Sequence, residues 1–198
     1  MSEASPTRAV VLELKDEQRA MHEGYVFLDE KCLLLAGEIL RELVRYAKLD
    51  RILLDAHQAA TQALQAAVAR HGLEDLQVYP PLDQTAATLA REARSLMGVR
   101  LQDATWRSAV EAPRPSVQPS PEAEACRRAF VALIAAAARL AGLTGNLERL
   151  SFEYRRSVRR ARALQDVLLP ELDQAVYRIE TRLEELEQED AISMRRRT

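Results

Sequence analysis

The histidines and cysteines are the residues that could bind a metal or attack a substrate, and their spacing favours neither chemistry. The three histidines, His22, His57 and His71, lie far apart along one predicted helix and form no HExxH or Glu-x-x-His pair. Cys32 falls on the apolar stripe of that helix, so a buried small residue is a better interpretation than a nucleophile. We therefore expect no catalytic residue and no metal site.

The glycines offer no phosphate-binding loop either. No two glycines five residues apart are followed by Lys and then Ser or Thr, so the sequence lacks a Walker loop. Gly142 and Gly145 have no predicted strand before them, which argues against a dinucleotide-binding turn. The sequence therefore predicts a protein that is not an enzyme and that uses no cofactor.

Charge recognition is the chemistry that remains, because five arginines occur within eight residues that include no acid. This arginine cluster consists of Arg155, Arg156, Arg159, Arg160 and Arg162. The following residues 165–190 contain nine acids and only two bases, so charge is segregated along the chain. From residue type alone, a solvated helix face explains the cluster better than a binding surface does.

Two long segments with apolar residues at steps of three or four must position these groups. In the first segment, the stripe from Val11 to Leu53 takes twelve steps over 42 residues. The mean step of 3.5 is typical of a left-handed coiled coil. Ser5 and Pro6 form a helix start, because serine can cap free amides and proline at the first helical position loses no hydrogen bond. Gly72 is the predicted end of this helix.

The second segment carries the arginine cluster and has the same period. Its stripe from Leu140 to Leu186 takes thirteen steps over 46 residues. Ser120 and Pro121 repeat the helix start found at the front of the chain. Pro170 lies within the stripe and is predicted to bend the helix, because proline removes an intrahelical hydrogen bond.

The residues between the two segments follow neither stripe. Residues 80–81 are both proline and interrupt the chain, and residues 82–96 read as a short amphipathic helix. Residues 99–101 and 105–107 alternate weakly, which makes them a candidate short hairpin. Residues 113–121 contain four prolines and are predicted to be extended coil.

These patterns predict a mainly α protein built on a long antiparallel two-helix coiled coil of the N- and C-terminal helices. Two helices of equal period bury their stripes on each other, and the long connection between them makes antiparallel pairing the easier closure. A small insert with a short helix and a candidate β-hairpin joins them. The predicted boundaries are 6–72 for the first helix, 73–120 for the insert and 121–192 for the last helix.

A second set of apolar residues lies beside the stripes rather than on them. Because a two-stranded coil buries only a narrow seam, this set needs another explanation. Its members either pack under the insert or face other chains. The set consists of Val26, Phe27, Leu33, Leu34, Leu40, Val44, Ile52, Leu54, Val167, Leu169 and Val176.

The composition argues against several other classes of protein. A formal net charge of −2 does not suit a general nucleic-acid binder. Two cysteines are too few for a secreted disulfide framework, and residues 1–8 do not form a signal peptide. The most apolar run, residues 129–143, contains Arg139 and is too short to span a bilayer. We therefore expect a soluble, cytoplasmic protein with no direct membrane insertion.

The N-terminal segment contains a pattern that is specific enough to compare with known families. Residues 5–8 read SPTR, residues 14–15 are a leucine-lysine step, and Gly24 is followed by Leu28 and Lys31. This pattern resembles the opening of the central-stalk D subunit of V-type rotary ATPases.

The C-terminal segment carries a more specific pattern. Residues 159–170 are similar to that family's R-R-V-N-A-L-E-x-V-x-I-P, with Arg162 where asparagine is usual. Residues 177–190 (YRIETRLEELEQED) are similar to its K-Y-I…L-E-E-x-E-R-E-E. The resemblance covers both long segments, about two thirds of the chain, and the insert matches weakly.

The resemblance implies a rotor axle without catalytic activity. In that family, the coiled coil with both termini penetrates a hexamer of catalytic A and B subunits. The other end carries the small F subunit of the stalk and sits in the funnel-shaped subunit above the membrane ring. The implied role is to transmit torque, which couples ATP synthesis or hydrolysis to proton or sodium transport at the cytoplasmic side of the membrane. The arginine cluster and Pro170 are then candidate partner contacts, with acidic loops of the hexamer facing the arginines.

Two other classes of function fit parts of the sequence. A free-standing cytoplasmic coiled-coil scaffold or adaptor needs only the two apolar stripes. A nucleic-acid-binding hairpin could use the arginine cluster, but the adjacent acidic run and the lack of interleaved aromatic residues disfavour it.

Overall fold

The computed structural model describes residues 7–79, 87–107 and 119–197. Its elements are helix α1 (Arg8–Asp75), a 3-10 turn (Leu76–Val78), strands β1 (Thr88–Leu96) and β2 (Val99–Arg107), helix α2 (Pro121–Ala163), a π-helical turn (Leu164–Leu168) and helix α3 (Leu169–Arg197). The predicted mainly α architecture, two long helical segments with a small hairpin between them, is confirmed. Contacts divide the chain into a first unit, Met1–Leu34 with Tyr154–Thr198, and a second unit, Leu35–Glu153.

In the first unit, the start of α1 runs antiparallel to α3. Arg8 Nη2 lies 2.7 Å from Glu187 Oε1, and Lys15 Nζ lies 2.6 Å from Glu180 Oε1. Gln18 donates to Asp173, and Gly24 faces the side chain of Leu164. Residue numbers rise on α1 as they fall on its partner, which is the antiparallel arrangement that the long connection between the helices predicted. The seam beneath these contacts buries Val11, Ser157, Ala161 and Val176.

The turn before Pro170 departs from α-helical geometry. The Leu169 N–H donates to the Leu164 carbonyl, five residues back rather than four. Proline has no N–H, and its ring clashes with the carbonyl four residues earlier in a regular helix. A widened π-helical turn directly before the proline accommodates that ring. The bend expected at Pro170 stays a prediction.

This π-helical turn changes the apolar stripe locally: Val176 joins the seam, while the predicted stripe residues Leu172, Ala175, Ile179 and Leu183 stay half-buried. A π-bulge adds one residue to the turn, which rotates the following side chains by about 100° around the helix axis. Leu168, on the predicted stripe, is 41% exposed, whereas the next residue, Leu169, is half-buried. Val176 was predicted to lie beside the stripe, and this was wrong because the widened turn brings it into the seam at 7% exposure.

In the second unit, β1 and β2 form an antiparallel hairpin whose register runs from Thr88 opposite Arg107 to Leu96 opposite Val99. The two residues of the turn, Met97 and Gly98, have φ values of 47° and 84°. Positive φ at both central residues is the type I′ turn that matches the twist of hairpin strands.

The prediction of a short helix over residues 82–96 is wrong for Thr88–Leu96, which is β1. Its Ala, Arg, Glu and Leu residues are good helix formers, but the pairing with β2 overrides that local preference. Residues 82–86 lie outside the described residues. The two halves of the predicted hairpin, 99–101 and 105–107, both lie within the single strand β2.

The ends of the long helices follow the predicted signals. Gly72 has φ 74° and ψ 169°, which interrupts the helical geometry of α1 at the predicted position. Ser120 caps α2: its Oγ accepts from the Ala123 N–H at 3.3 Å, and its carbonyl accepts from the Glu124 N–H at 3.1 Å. The start predicted at Ser5 and Pro6 lies outside the described residues.

The hairpin packs closely against α2 at a glycine. A Cβ added at Gly142 would lie 2.8 Å from Ala104 Cβ and 2.9 Å from Ala104 N, closer than side chains normally approach. By contrast, a Cβ added at Gly37, in the interior of α1, would meet nothing within 4 Å. Gly142 therefore permits the contact between strand and helix, whereas Gly37 has no such role.

We expect Gly142→Ala to lower the free energy of unfolding by about 1 to 2 kcal/mol, because overpacking outweighs the gain of about 1 kcal/mol in helix propensity. Gly37→Ala is the matched control and should raise that free energy by about 0.5 to 1 kcal/mol. Urea denaturation followed by circular dichroism measures both. Equal stabilisation by the two substitutions would show that the hairpin does not constrain Gly142.

Candidate partner-binding surfaces

The arginine cluster lies on the exposed side of the last turns of α2, in the first unit. All five side chains are exposed, whereas Ser157 and Ala161, on the opposite side of the same turns, are buried at 1% and 8% exposure. The helical period places residues four apart on one face, so Ser157 and Ala161 turn inward together and the arginines turn outward. The structure thus brings the predicted residues together on one accessible surface.

The cluster carries charge that the first unit does not neutralise. Leaving Arg156 aside, its members form no ion pair with any residue in 7–79, 87–107 or 119–197. Arg155 and Arg159, four residues apart, repel each other, and such a pair costs about 0.2 to 0.5 kcal/mol. No ion pair within the described part of the unit offsets this repulsion. Such uncompensated positive charge is expected of a surface that binds an acidic partner.

Pro170 is also exposed, directly after the π-helical turn. Next to it, Val167 is 49% exposed and Leu168 is 41% exposed. The widened turn therefore presents apolar side chains close to the arginine cluster along the same helical segment.

A second candidate surface is the set of apolar residues on α1 that were predicted to lie beside the stripe. In the first unit, Phe27 is 57% exposed and Leu33 69% exposed. In the second unit, Leu40 is 65% exposed and Val44 60% exposed. Packing under the insert does not explain these residues, because they stay open to solvent. In each unit, these exposed apolar side chains form a candidate surface for contact with other molecules.

The hairpin contacts another face of α1, through an ionic network within the second unit. Arg94 Nη2 donates to Glu38 and, at 2.8 Å, to Glu42 Oε1. Arg45 Nη1 donates to Glu42 Oε1 at 2.8 Å, and its Nη2 donates to Asp103 Oδ1 at 2.9 Å. The hydrogen bond to Glu38 raises the pKa of Arg94, so its guanidinium stays charged.

This network contains carboxylates that are almost fully buried. Glu38 is 5% exposed and Glu42 1% exposed, and Glu42 Oε2 has no hydrogen-bond partner among the described residues. Nothing in the sequence indicates this burial, because Glu38, Arg41, Glu42 and Arg45 read as ordinary exposed pairs along a helix. The missing information is that β1, whose residues favour a helix, crosses above them as a strand.

A third polar cluster joins the end of α1 to the start of α2 in the second unit. Arg70 Nη1 donates to Glu122 Oε1 at 3.1 Å, and His71 Nε2 lies 2.7 Å from Ser120 Oγ. The Tyr79 ring meets the His71 ring edge-on, with centroids 5.3 Å apart. A hydrogen bond from its own backbone N–H, above all, lowers the pKa of Glu122. These contacts hold His71 in a structural role.

The cysteines and the remaining acids give no reactive site in the part of the chain that the structure describes. Cys32 and Cys126 are free and half-buried, and burial raises the pKa of both thiols, which disfavours the nucleophilic thiolate. Across residues 7–79, 87–107 and 119–197, no three His, Cys, Asp or Glu residues are placed to hold a metal ion.

One helical stretch is long and apolar enough to cross a membrane by length and composition. It is Pro121–Arg196, and most of its most apolar part is not buried. A single such helix is weak evidence for a membrane span, because core helices of soluble proteins meet the same criteria. The expectation of no membrane insertion stays a prediction.

Comparison with known proteins gives consistent matches over nearly the whole chain. Residues 10–197 match the model of a family described as the D subunit of ATP synthase. The chain is 30% identical to the D subunit of the V-type ATP synthase of Anaeromyxobacter dehalogenans, over 99% of this chain and 96% of that protein. It is 25% identical to the V-type D subunit of Thermotoga neapolitana, over 97% and 95% of the two chains. It is 26% identical to the A-type D subunit of Pyrococcus horikoshii, over 96% and 91%.

Proposed function

The chain belongs to the family of ATP synthase D subunits, and on that premise we propose that it is the central-stalk rotor of a V-type or A-type ATP synthase or ATPase. In this role it is non-catalytic and transmits torque between a catalytic A/B hexamer and the ion-translocating ring in the membrane. It thereby couples ATP synthesis or hydrolysis to proton or sodium transport. Its location is the cytoplasmic side of the membrane, held there through the complex.

The observation that carries this proposal is the antiparallel helix pair of the first unit. A shaft under torque needs two helices joined along a buried seam, so that one cannot slide past the other. Val11 and Val176 are buried in that seam, and the ion pairs Arg8–Glu187 and Lys15–Glu180 flank it. Exposed ion pairs contribute only about 0 to 1 kcal/mol each, so charges on the outer faces can be broken and remade at each step of rotation.

The exposed surfaces of the described residues support the partners that the family resemblance implies. We propose that the arginine cluster meets acidic loops of the A/B hexamer, with Pro170 and its exposed apolar neighbours at the same contact. The exposed apolar residues of α1 supply further interface for other stalk components, the small F subunit and the funnel-shaped subunit among them. A free-standing scaffold is the competing function, and it has no need for so many exposed apolar side chains.

The charge reversal Arg159→Glu together with Arg160→Glu tests this contact. We expect binding of the chain to an A/B hexamer to weaken at least about tenfold, because two attractive contacts become repulsive. Titration of each variant into the purified hexamer gives the dissociation constant, and ATP turnover of the assembled complex gives the functional effect. Unfolding by urea checks that the fold is unchanged.

The matched control reverses two exposed arginines outside the cluster, Arg178→Glu with Arg182→Glu, which changes the net charge by the same amount. If both double variants weaken binding equally, the effect comes from net charge and the cluster is not a specific contact. If ATP turnover of the hexamer does not depend on the chain at all, the rotor function is wrong and the scaffold function is favoured.

A further inference from the structure

The two outer edges of the hairpin differ in what covers them. On β2, the Gln102 N–H donates to Asn146 Oδ1 of α2 at 2.7 Å. Ala104, two residues further along, packs against Gly142 of the same helix. The outer edge of β2 is therefore covered by α2, through one hydrogen bond and one close contact.

The same hydrogen bond shows which backbone N–H groups of β1 point toward β2 and which point away from it. In an antiparallel pair, opposite residues point their N–H and C=O groups either both toward each other or both away. Because the Gln102 N–H points away from β1, the opposite residue, Ala93, points its own N–H away from β2. Residues two apart share that orientation, so the N–H and C=O groups of four residues face outward from β1: Leu89, Arg91, Ala93 and Ser95.

These outward groups have no partner among the described residues. The backbone hydrogen bonds outside helices and strands all lie elsewhere in the described ranges, and no side chain of those ranges bonds to this edge. Residues 91–95 are exposed, and Leu89 is 48% exposed. The strand is nine residues long, with continuous register and no proline. Natural sheet edges are protected by short length, bulges, proline or charged side chains, and of these the edge of β1 has only the charges of Arg91, Glu92 and Arg94.

The charge along the edge selects the kind of strand that fits it. The side chains of Leu89, Arg91, Ala93 and Ser95 lie on one face of the hairpin. That face carries Arg91 and Arg100 and no acid, because Glu92 and Asp103 lie on the opposite face. Neither arginine forms an ion pair within the described residues. At one end of the same face, Leu89 lies opposite Trp106, which adds an apolar contact.

We propose that the outer edge of β1 binds an extended, acidic segment of a partner protein, which adds to the hairpin as a third strand. Backbone hydrogen bonds to the four outward residues hold the segment, as in other cases of strand addition. A carboxylate beside Arg91 fixes which side-chain face of the segment lies there. The inference goes beyond the rotor function and does not depend on it.

The test uses the full-length chain labelled with ¹⁵N and a nine-residue acetylated peptide of alternating valine and glutamate as the probe. We expect amide exchange to slow at least about tenfold at the four outward residues when the peptide is bound, because each N–H gains an acceptor. The N–H groups of Ala90 and Glu92, which point toward β2, should not change. A peptide with lysine in place of glutamate, and one with alternate backbone nitrogens methylated, should bind at least about tenfold more weakly.

A substitution on the chain separates strand addition from general attraction. Ala93→Pro removes one outward N–H and places a ring on the edge without removing a hydrogen bond between β1 and β2. It should weaken binding of the valine–glutamate peptide at least about tenfold, whereas Ala93→Ser should leave binding unchanged. Exchange at Ala90 and Glu92 reports whether the hairpin stays intact in both variants.

Four results would overturn the proposal. The valine–glutamate peptide could fail to protect the outward amides, or the lysine peptide could bind as well. Ala93→Pro could bind normally with its hairpin intact. Lastly, the outward amides could be protected without peptide: protection that rises with protein concentration would assign the edge to a second copy, and constant protection would assign it to this chain itself.

Discussion

Leu150→Ala is expected to lower the free energy of unfolding by about 3 to 4 kcal/mol, the largest effect of any single substitution considered for this protein. Leu150 is completely buried in the second unit, as are Leu35 and Leu101, and Leu143 is 1% exposed. Replacing its isobutyl group by a methyl group loses the transfer free energy of three carbon groups and leaves a cavity that the α-helical backbone cannot close. Urea denaturation followed by circular dichroism gives the change.

The matched control is Leu40→Ala, which makes the same chemical change on an exposed position of α1 in the same unit. Because Leu40 is 65% exposed, its truncation leaves no cavity and should change stability by no more than about 0.5 kcal/mol. Equal losses in the two variants would contradict the assignment of Leu150 to the core.

Arg94→Ala is the second large effect, with an expected loss of about 2 kcal/mol of folding free energy. The substitution leaves two buried carboxylates, Glu38 and Glu42, without the guanidinium that joins them to the hairpin. Removing one partner of a fully buried ion pair costs about 3 to 5 kcal/mol. The loss here is smaller, because the Arg94 side chain is 44% exposed and Arg45 stays beside Glu42.

Arg91→Ala is the control for this effect, since Arg91 lies on the other face of β1 and has no ion pair among the described residues. It should change stability by no more than about 0.5 kcal/mol. Adding Glu42→Gln to Arg94→Ala should recover part of the loss, because it removes the unpaired buried charge. A double variant that is the sum of its two single losses would show that Arg94 and Glu42 are not coupled.

The long helices could be predicted because their evidence is repeated many times. Each step of the stripe from Val11 to Leu53 repeats a spacing of three or four residues. The cap at Ser120 and the interruption at Gly72 also agree with the predicted start of the second helix and end of the first. Periodicity summed over so many turns outweighs any single unfavourable residue. The pairing of the two helices then followed from their equal periods, and its antiparallel direction followed from the long connection between them.

The hairpin could not be predicted well because its evidence is not local. Residues 88–96 contain good helix formers, and only their pairing with β2 and the turn at Met97 and Gly98 makes them a strand. The burial of Val176 after Pro170 was missed for a related reason. A fixed period of 3.5 was carried through the proline, whereas the π-helical turn adds a residue there and moves Val176 inward.

The sequence predicted which residues of the candidate surfaces are exposed, but it did not predict the contacts between distant parts of the chain. Charge segregation alone placed the arginine cluster on an exposed helix face, and all five side chains are exposed. The buried carboxylates Glu38 and Glu42 were missed, because nothing in a helix sequence shows that a strand from elsewhere in the chain covers one of its faces. The free edge of β1 was missed with the strand itself.

Rotation of this chain inside its complex is the most direct measurement of the proposed rotor function. The catalytic hexamer is fixed to a surface, a bead is attached to this chain, and its angle is followed by light microscopy as ATP is added. We expect stepwise rotation in one direction that stops when ATP is removed. Sustained ATP hydrolysis by the assembled hexamer with the bead stationary would contradict the rotor function.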